Sequence, residues 1–262
     1  MSLKRIRAVL LQEFYITKHS LEVIIDTFFF SAIAIIVFSF MAIFISKTAG
    51  QLAAQEVLIG VLLWEVIRIT QYSLSVGSLW NIWSRNLSNM FIAPLSLSEY
   101  MSAGILSGIA KALVNFATIA VIARLIFQFN IFQLGTGNLI LYFINLSIFA
   151  WSTGFAIVGI ILRYGTRIQA LAWGAVFLFQ PLTAAFFPVS TLPRFFQGVA
   201  YLFPATYIFE AARSNLAGMP TNWPYLIWAF TENVIYFILA IWFLNFMFKR
   251  SKQTGQFARN EQ

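Results

Sequence analysis

Apolar residues gather along this chain into long runs with short polar breaks, and six of the runs reach the length of a membrane span. A helix needs about 20 mostly apolar residues to cover about 30 Å of hydrocarbon. The runs are Val23–Ile45, Val57–Leu79, Ala103–Phe127, Leu139–Leu162, Ala170–Phe187 and Tyr225–Phe248, and Pro181 predicts a kink in the fifth. They read as helices, because helices satisfy their backbone groups internally and the alternation of barrel strands is absent. The first run begins too late, continues too long and lacks the cleavage site of a signal peptide. The pattern predicts an all-α membrane protein with six transmembrane helices: an amphipathic segment at 1–22, then a single six-span domain at 23–262.

Three stretches outside the runs are neither lipid-like nor plainly solvated. In Ser2–Ser20, Leu3, Ile6, Leu10 and Phe14 repeat at helical spacing, with Lys4, Arg5, Gln12 and His19 opposite and Arg7 among the flanking bases. That is the pattern of a basic amphipathic helix lying in the membrane interface. In the loop 81–100, Leu87, Met90 and Phe91 share one face of a short helix that stops before Pro94, and Ser96 or Ser98 is placed to cap the next span with Glu99 in its first turn. An apolar face on a loop helix is expensive in water unless a partner covers it. In 188–223, Pro193 and Pro204 are placed to open two short helices that dip into the outer leaflet.

Composition agrees with the pattern. Hydrophobic residues form 60% of the 262-residue chain and charged residues 10%, which excludes a soluble enzyme or a disordered chain. With no Cys and one His (His19), thiol catalysis and multi-His metal centres are excluded, and no catalytic or metal-binding set is predicted. Lys4, Arg5, Arg7, Lys18, Arg85, Arg163, Arg167, Lys249, Arg250, Lys252 and Arg259 fall on one side of a six-span layout, against Lys47, Arg194 and Arg213 on the other. The bias places both termini in the cytoplasm and explains the net charge of +8 without nucleic acid. Trp80, Trp83, Trp223 and Trp228 fall at interfacial positions.

Ionisable residues inside spans are rare and usually functional. Glu65 and Arg68 lie three apart on one helical face, and Glu232 reaches a similar depth from the outer end of the sixth span. These three are the candidate polar layer of a translocation path or outer gate. Asp26 and Lys111 also lie inside runs, and Arg124 is near enough to an end to snorkel. Gly104 and Gly108 form a small-residue face that allows close helix approach.

The runs RNLSNMFIAPLSLSEYMSAGIL and LPRFFQGVAYLFPATYIFEAAR resemble, in order and spacing, segments of type-2 ABC exporter permeases. The resemblance extends over essentially the whole chain. It implies that Arg85–Glu99, with Asn86, Pro94, Leu95 and Glu99 at motif positions, is a coupling helix docking on a separate nucleotide-binding ATPase. It implies that Ser2–Ser20 is the interfacial connecting helix and that Pro204, Glu210 and Arg213 belong to outer re-entrant helices. It also implies a second permease copy in a homodimer, a bacterial-type inner membrane, and ATP and Mg on the partner rather than on this chain. Independently, the sequence contains no G-x-x-x-x-G-K-[ST], so hydrolysis energy has to enter through another polypeptide.

Other readings fit less well. An ion-coupled secondary carrier predicts internal repeats and paired discontinuous spans, and one Pro-broken span without a repeat is a poor match. An intramembrane enzyme needs a nucleophile–base set, and an assembly factor would have no ATPase partner. The aromatic content suits an amphipathic cargo: a lipid-linked glycan, a lipid or a hydrophobic drug.

Overall fold

The computed structural model describes residues 1–256, which form helices and turns with no strand among them. Arg259, one of the predicted cytoplasmic bases, lies outside the described residues. The helices are α1 (Leu3–His19), α2 (Leu21–Thr48, passing through a π-turn at Ile25–Phe29), α3 (Gln51–Trp83), α4 (Leu87–Ile92) and α5 (Leu97–Phe127). They continue with α6 (Thr136–Tyr164), α7 (Leu171–Leu182), α8 (Arg194–Ala200), α9 (Pro204–Leu216) and α10 (Trp223–Gln253). Four of them, α2, α5, α10 and α6 with its extension to Ile168, are long and apolar enough to cross a membrane by length and composition.

The second predicted run lies inside α3, whose 33 residues span about 50 Å at 1.5 Å each. It is buried on every side, because α2, α5, α6, α7 and α9 all pack on it. Leu62, Ile67 and Leu79 are fully enclosed, and so are the polar Gln71, Ser75 and Asn81. A helix buried all round belongs to the core, and its polar residues meet protein instead of lipid. Close approach needs small residues. A Cβ on Gly104 would stand 2.8 Å from Leu74 Cδ2, and one on Gly108 would be 3.4 Å from Ser73 Cβ, so this glycine face packs within the chain against α3.

The fifth run departs from the sequence expectation, since Pro181 ends the helix instead of kinking it. α7 has 12 residues, about 18 Å, too short to cross alone. Proline has no N–H and crowds the preceding turn, so the helix stops one residue later. Thr183 N donates to Phe179 O at 2.8 Å, and Ala184 turns the chain at φ 51°. The returning stretch of backbone presses on α3, where a Cβ on Gly60 would sit 2.2 Å from Ala185 O.

Two apolar clusters stack along the bundle. One, at the Pro204 end, holds Leu62, Trp64, Tyr142 and Phe209, and the other, at the Arg85–Glu99 end, holds Leu79, Tyr100, Leu162 and Phe248. Outside them, Phe40, Phe44, Leu125, Leu178, Ile238 and Trp242 are each 60–76% exposed. Such a girdle is costly in water and at home in lipid.

Candidate functional site

Between α2, α3 and α7 lies a cavity of about 430 Å³, and its floor is charged. Glu65 and Arg68 stand on one face of α3 and pair at 2.7 Å, with side-chain exposures of 4% and 13%. Arg68 Nε adds contacts to both Glu65 oxygens at 2.9 and 3.0 Å. α2 and α5 supply further partners. Ser31 Oγ donates to Glu65 Oε2 at 2.5 Å, Arg68 Nη1 donates to Asp26 O at 3.2 Å, and Asn115 Nδ2 reaches Glu65 Oε2 from α5 at 3.5 Å. Tyr72 Oη donates to Asp26 Oδ2 at 2.8 Å. Asp26 sits in the π-turn, which widens the helix and sets the residue beside Arg68 and Tyr72; such bulges often mark functional sites. The apolar walls include Phe30, Phe38, Trp173, Phe177 and Phe186.

The expected layer of Glu65, Arg68 and Glu232 is therefore split. Glu232 is on α10, beside Tyr207 of α9, and does not line this cavity. Equal depth along two spans does not bring residues together when the helices face different neighbours, and α10 packs on α6 and α9. The residues that do join Glu65 and Arg68 are Ser31, Asp26, Tyr72 and Asn115. Their signal in the sequence was only that each interrupts an apolar run.

At the opposite polar cluster, α1 docks across the start of α5. Ser96 caps α5, accepting from Glu99 N at 3.2 Å while Glu99 Oε2 accepts from Ser96 N at 2.9 Å, a reciprocal capping box. The same carboxylate takes Ser2 N at 2.6 Å and Arg5 Nη1 at 3.2 Å, and Arg5 also donates to Pro94 O. Hydrogen bonds from the backbone of Ser96 and Ser2, with Arg5 nearby, hold Glu99 well below its ordinary range, at about 2. Further along α1, Gln12 Nε2 donates to Asn81 Oδ1 at 2.7 Å, and Glu13 pairs with Lys111 at 3.3 Å. Ser2 holds the N-cap position of α1, but its hydroxyl caps no backbone N–H of the first turn, and its own backbone N–H donates to Glu99.

The apolar stripe expected on α1 is divided. Ile6 and Val9 are buried on the chain and Leu10 is half-buried, whereas Leu3 and Phe14 are exposed beside the bases Lys4 and Arg7. The face expected on α4 turns the other way. Leu87 is fully buried, Met90 and Phe91 pack on the chain's own cluster, and the Phe91 ring lies 5.3 Å from that of Phe248. Tertiary packing covers the three residues at helical spacing, so the residues of and around α4 that remain outside include Ile92, 82% exposed, with Arg85, Asn89, Ala93 and Pro94. Arg85 turns the chain at φ 53° ahead of α4, Asn86 precedes the helix, and Leu95 is half-buried. Ile92 is not among the residues that the sequence pattern singles out on this helix. Its mark is a large apolar side chain on the otherwise polar face of a six-residue helix.

Pro204 opens α9 as its first residue, as expected. Arg213 is buried and ties α9 to the turn after α7 through Ala184 O and Phe187 O (2.5 Å for the latter), and it pairs with Glu210 at 3.2 Å. Glu210 Oε1 in turn accepts from Val189 N at 3.0 Å. These three residues brace the segment 188–223.

Four helices long and apolar enough to cross a membrane, with an exposed apolar girdle, mark an integral membrane protein. Residues 5–217 match the model of the ABC-2 type transporter family, and the chain belongs to that family, as a transmembrane subunit of an ABC transporter. No curated protein matches the sequence. The family is one of membrane subunits, typically without an ATP site of their own, that associate with a nucleotide-binding subunit.

Proposed function

We propose that the chain is the permease of an ATP-driven exporter, acting as one of two copies and carrying an amphipathic cargo from the inner leaflet or cytoplasm past the Glu65–Arg68 cavity. The observation that carries this reading is the cavity itself: a buried ion pair at the base of an apolar cleft between α2 and α7, whose walls include the half-exposed Phe30 and Phe177. Charged groups there are costly and persist where a path needs them. In this reading α3 and α7 complete six passes, both termini are cytoplasmic in an inner membrane, and α1 lies in the interface with Leu3 and Phe14 in lipid. α4 docks on the ATPase through its exposed tip, and ATP and Mg stay with that partner. The segment 188–223 closes the outer side.

Inverted vesicles carrying the chain with its ATPase test the reading by ATP-dependent uptake of a fluorescent amphiphile. Uptake per assembled complex is expected to fall several-fold in Glu65→Gln and Arg68→Gln, and to stay near wild type in Glu232→Gln. Normal uptake in both cavity variants would overturn the assignment of the path.

A further inference from the structure

The cavity between α2, α3 and α7 carries a charge imbalance. Its ionisable carboxylates and bases are Asp26, Glu65 and Arg68. Arg68 is engaged by Glu65 at three contacts of 3.0 Å or less, so that pair closes on itself. Arg68 reaches Asp26 only through the backbone carbonyl, at 3.2 Å. The partner of the Asp26 carboxylate is the neutral Tyr72 hydroxyl. One negative charge is thus left over on a half-buried residue at the cavity wall. A second observation points the same way. Gln71 also lines the cavity, is 1% exposed, and gives its amide N–H groups to Ser75 Oγ at 2.6 Å and Ala172 O at 3.1 Å. Its carbonyl Oε1 has no partner among the described residues, which leaves a buried acceptor on a residue that lines the same cavity as the unbalanced acid. Buried acceptors in native proteins normally find a donor.

The rest of the lining is aromatic: Phe30, Phe38, Trp173, Phe177 and Phe186. Aromatic faces attract cations, most strongly where water is displaced. Trp64, two helical turns from Gln71 and so about 10 Å further along α3, leaves its Nε1–H without an acceptor among the described residues. Along α2 the cavity runs from Asp26 to Phe38, about 18 Å at the helical rise.

We infer that the cavity selects amphipathic cations: molecules with a positively charged nitrogen or phosphorus head held at Asp26 and an apolar body along the aromatic wall. A hydrogen-bond acceptor on that body would meet Trp64, which also lines the cavity. This rests on the permease reading and narrows its cargo, away from acidic lipids and anionic glycan carriers.

The test needs no ATPase and no knowledge of the natural cargo. Tetraphenylphosphonium and tetraphenylborate have nearly the same shape and opposite charge. Saturable binding of each is measured by equilibrium dialysis to the full chain in nanodiscs of neutral lipid, with empty nanodiscs subtracted. The wild-type chain is expected to bind the phosphonium saturably and the borate not. Asp26→Asn is expected to weaken phosphonium binding at least about tenfold, the equivalent of one modest charge contact, while Asp26→Glu restores most of it. Saturable borate binding as tight as that of the phosphonium would overturn the inference on the wild-type chain alone, whatever the variants do. An unchanged affinity in a folded Asp26→Asn chain would overturn it as well. Failure here leaves ATPase assembly and uptake of other amphiphiles intact, whereas failure of the permease reading appears as no ATP-dependent uptake by the wild-type chain, or normal uptake in Glu65→Gln and Arg68→Gln, with phosphonium binding unaffected.

Discussion

Single residues carry two of the structure's costs. Glu65 and Arg68 are a buried pair, and removing one partner of such a pair costs about 3–5 kcal/mol because the other is left uncompensated. Arg68→Leu is therefore expected to lower the unfolding temperature in detergent clearly, and Glu65→Gln/Arg68→Leu to recover part of the loss. An equal or larger loss in the double variant would show that the hydrogen bonds from Ser31 and Asn115, not charge balance, hold the site. Glu99 behaves differently. Its carboxyl is lowered from 4.5 to about 2 by the Ser96 and Ser2 backbone bonds, so the native state prefers the ionised form. That contribution is complete above the ordinary carboxylate range and is lost as pH falls from about 4.5 toward 2. The chain contains no Cys, so a single cysteine at the buried Val9 reports on α1 without background. Maleimide labelling suits neutral pH, where Glu99→Gln is expected to raise its rate well above wild type. An acid-tolerant thiol reagent is expected to show wild-type reactivity rising only as pH falls through that window.

At the scale of elements, α4 turns its apolar face onto the chain and leaves Ile92 outside. Phe91 packs against Phe248 and Tyr100, and a carboxylate there is buried without a partner. Phe91→Asp is expected to destabilise the fold by about 3 kcal/mol or more. Ile92→Asp changes a side chain that is 82% exposed and is expected to leave the unfolding temperature within about 1 °C while weakening ATPase association. The reverse order of effects would return the docking face to Phe91. This also marks how far the sequence was legible. Apolar runs located α2, α5, α6 and α10, because length against bilayer thickness is a local property. Capping chemistry located the start of α5, and Pro204 the start of α9. The direction of α4 was not legible, because Leu87, Met90 and Phe91 look the same whether a partner or the chain itself covers them. Nor was the pairing of Lys111 with Glu13, 98 positions away, or the gathering of Asp26, Tyr72 and Asn115 around Glu65. Each depends on which helices become neighbours. Pro181 was read as a kink and proved to be a stop, since the path of the chain beyond a proline depends on whether the next turn can be packed.

On the scale of the whole molecule, the two polar clusters sit at different levels along one long helix, α3. α3 runs through both, holding Glu65 and Arg68 beside the cavity and Asn81 against Gln12 of α1. A substitution that lifts the Pro204 end from α3 is therefore expected to disturb the cavity without touching its charges. Gly60→Ala drives a methyl into Ala185 O and is expected to lower both thermal stability and phosphonium affinity, as measured on one nanodisc preparation. The α4 tip lies at the other end and offers the surface through which hydrolysis energy would enter. The most direct measurement is ATP hydrolysis by the complex purified through a tag on this chain from its native membrane, wild type against Ile92→Asp. An ABC-2 permease that docks through α4 should bring with it a hydrolytic activity responsive to amphiphile, and the variant should purify folded but without that activity. Wild-type chain recovered intact with no associated hydrolysis, or undiminished hydrolysis with Ile92→Asp, would contradict it.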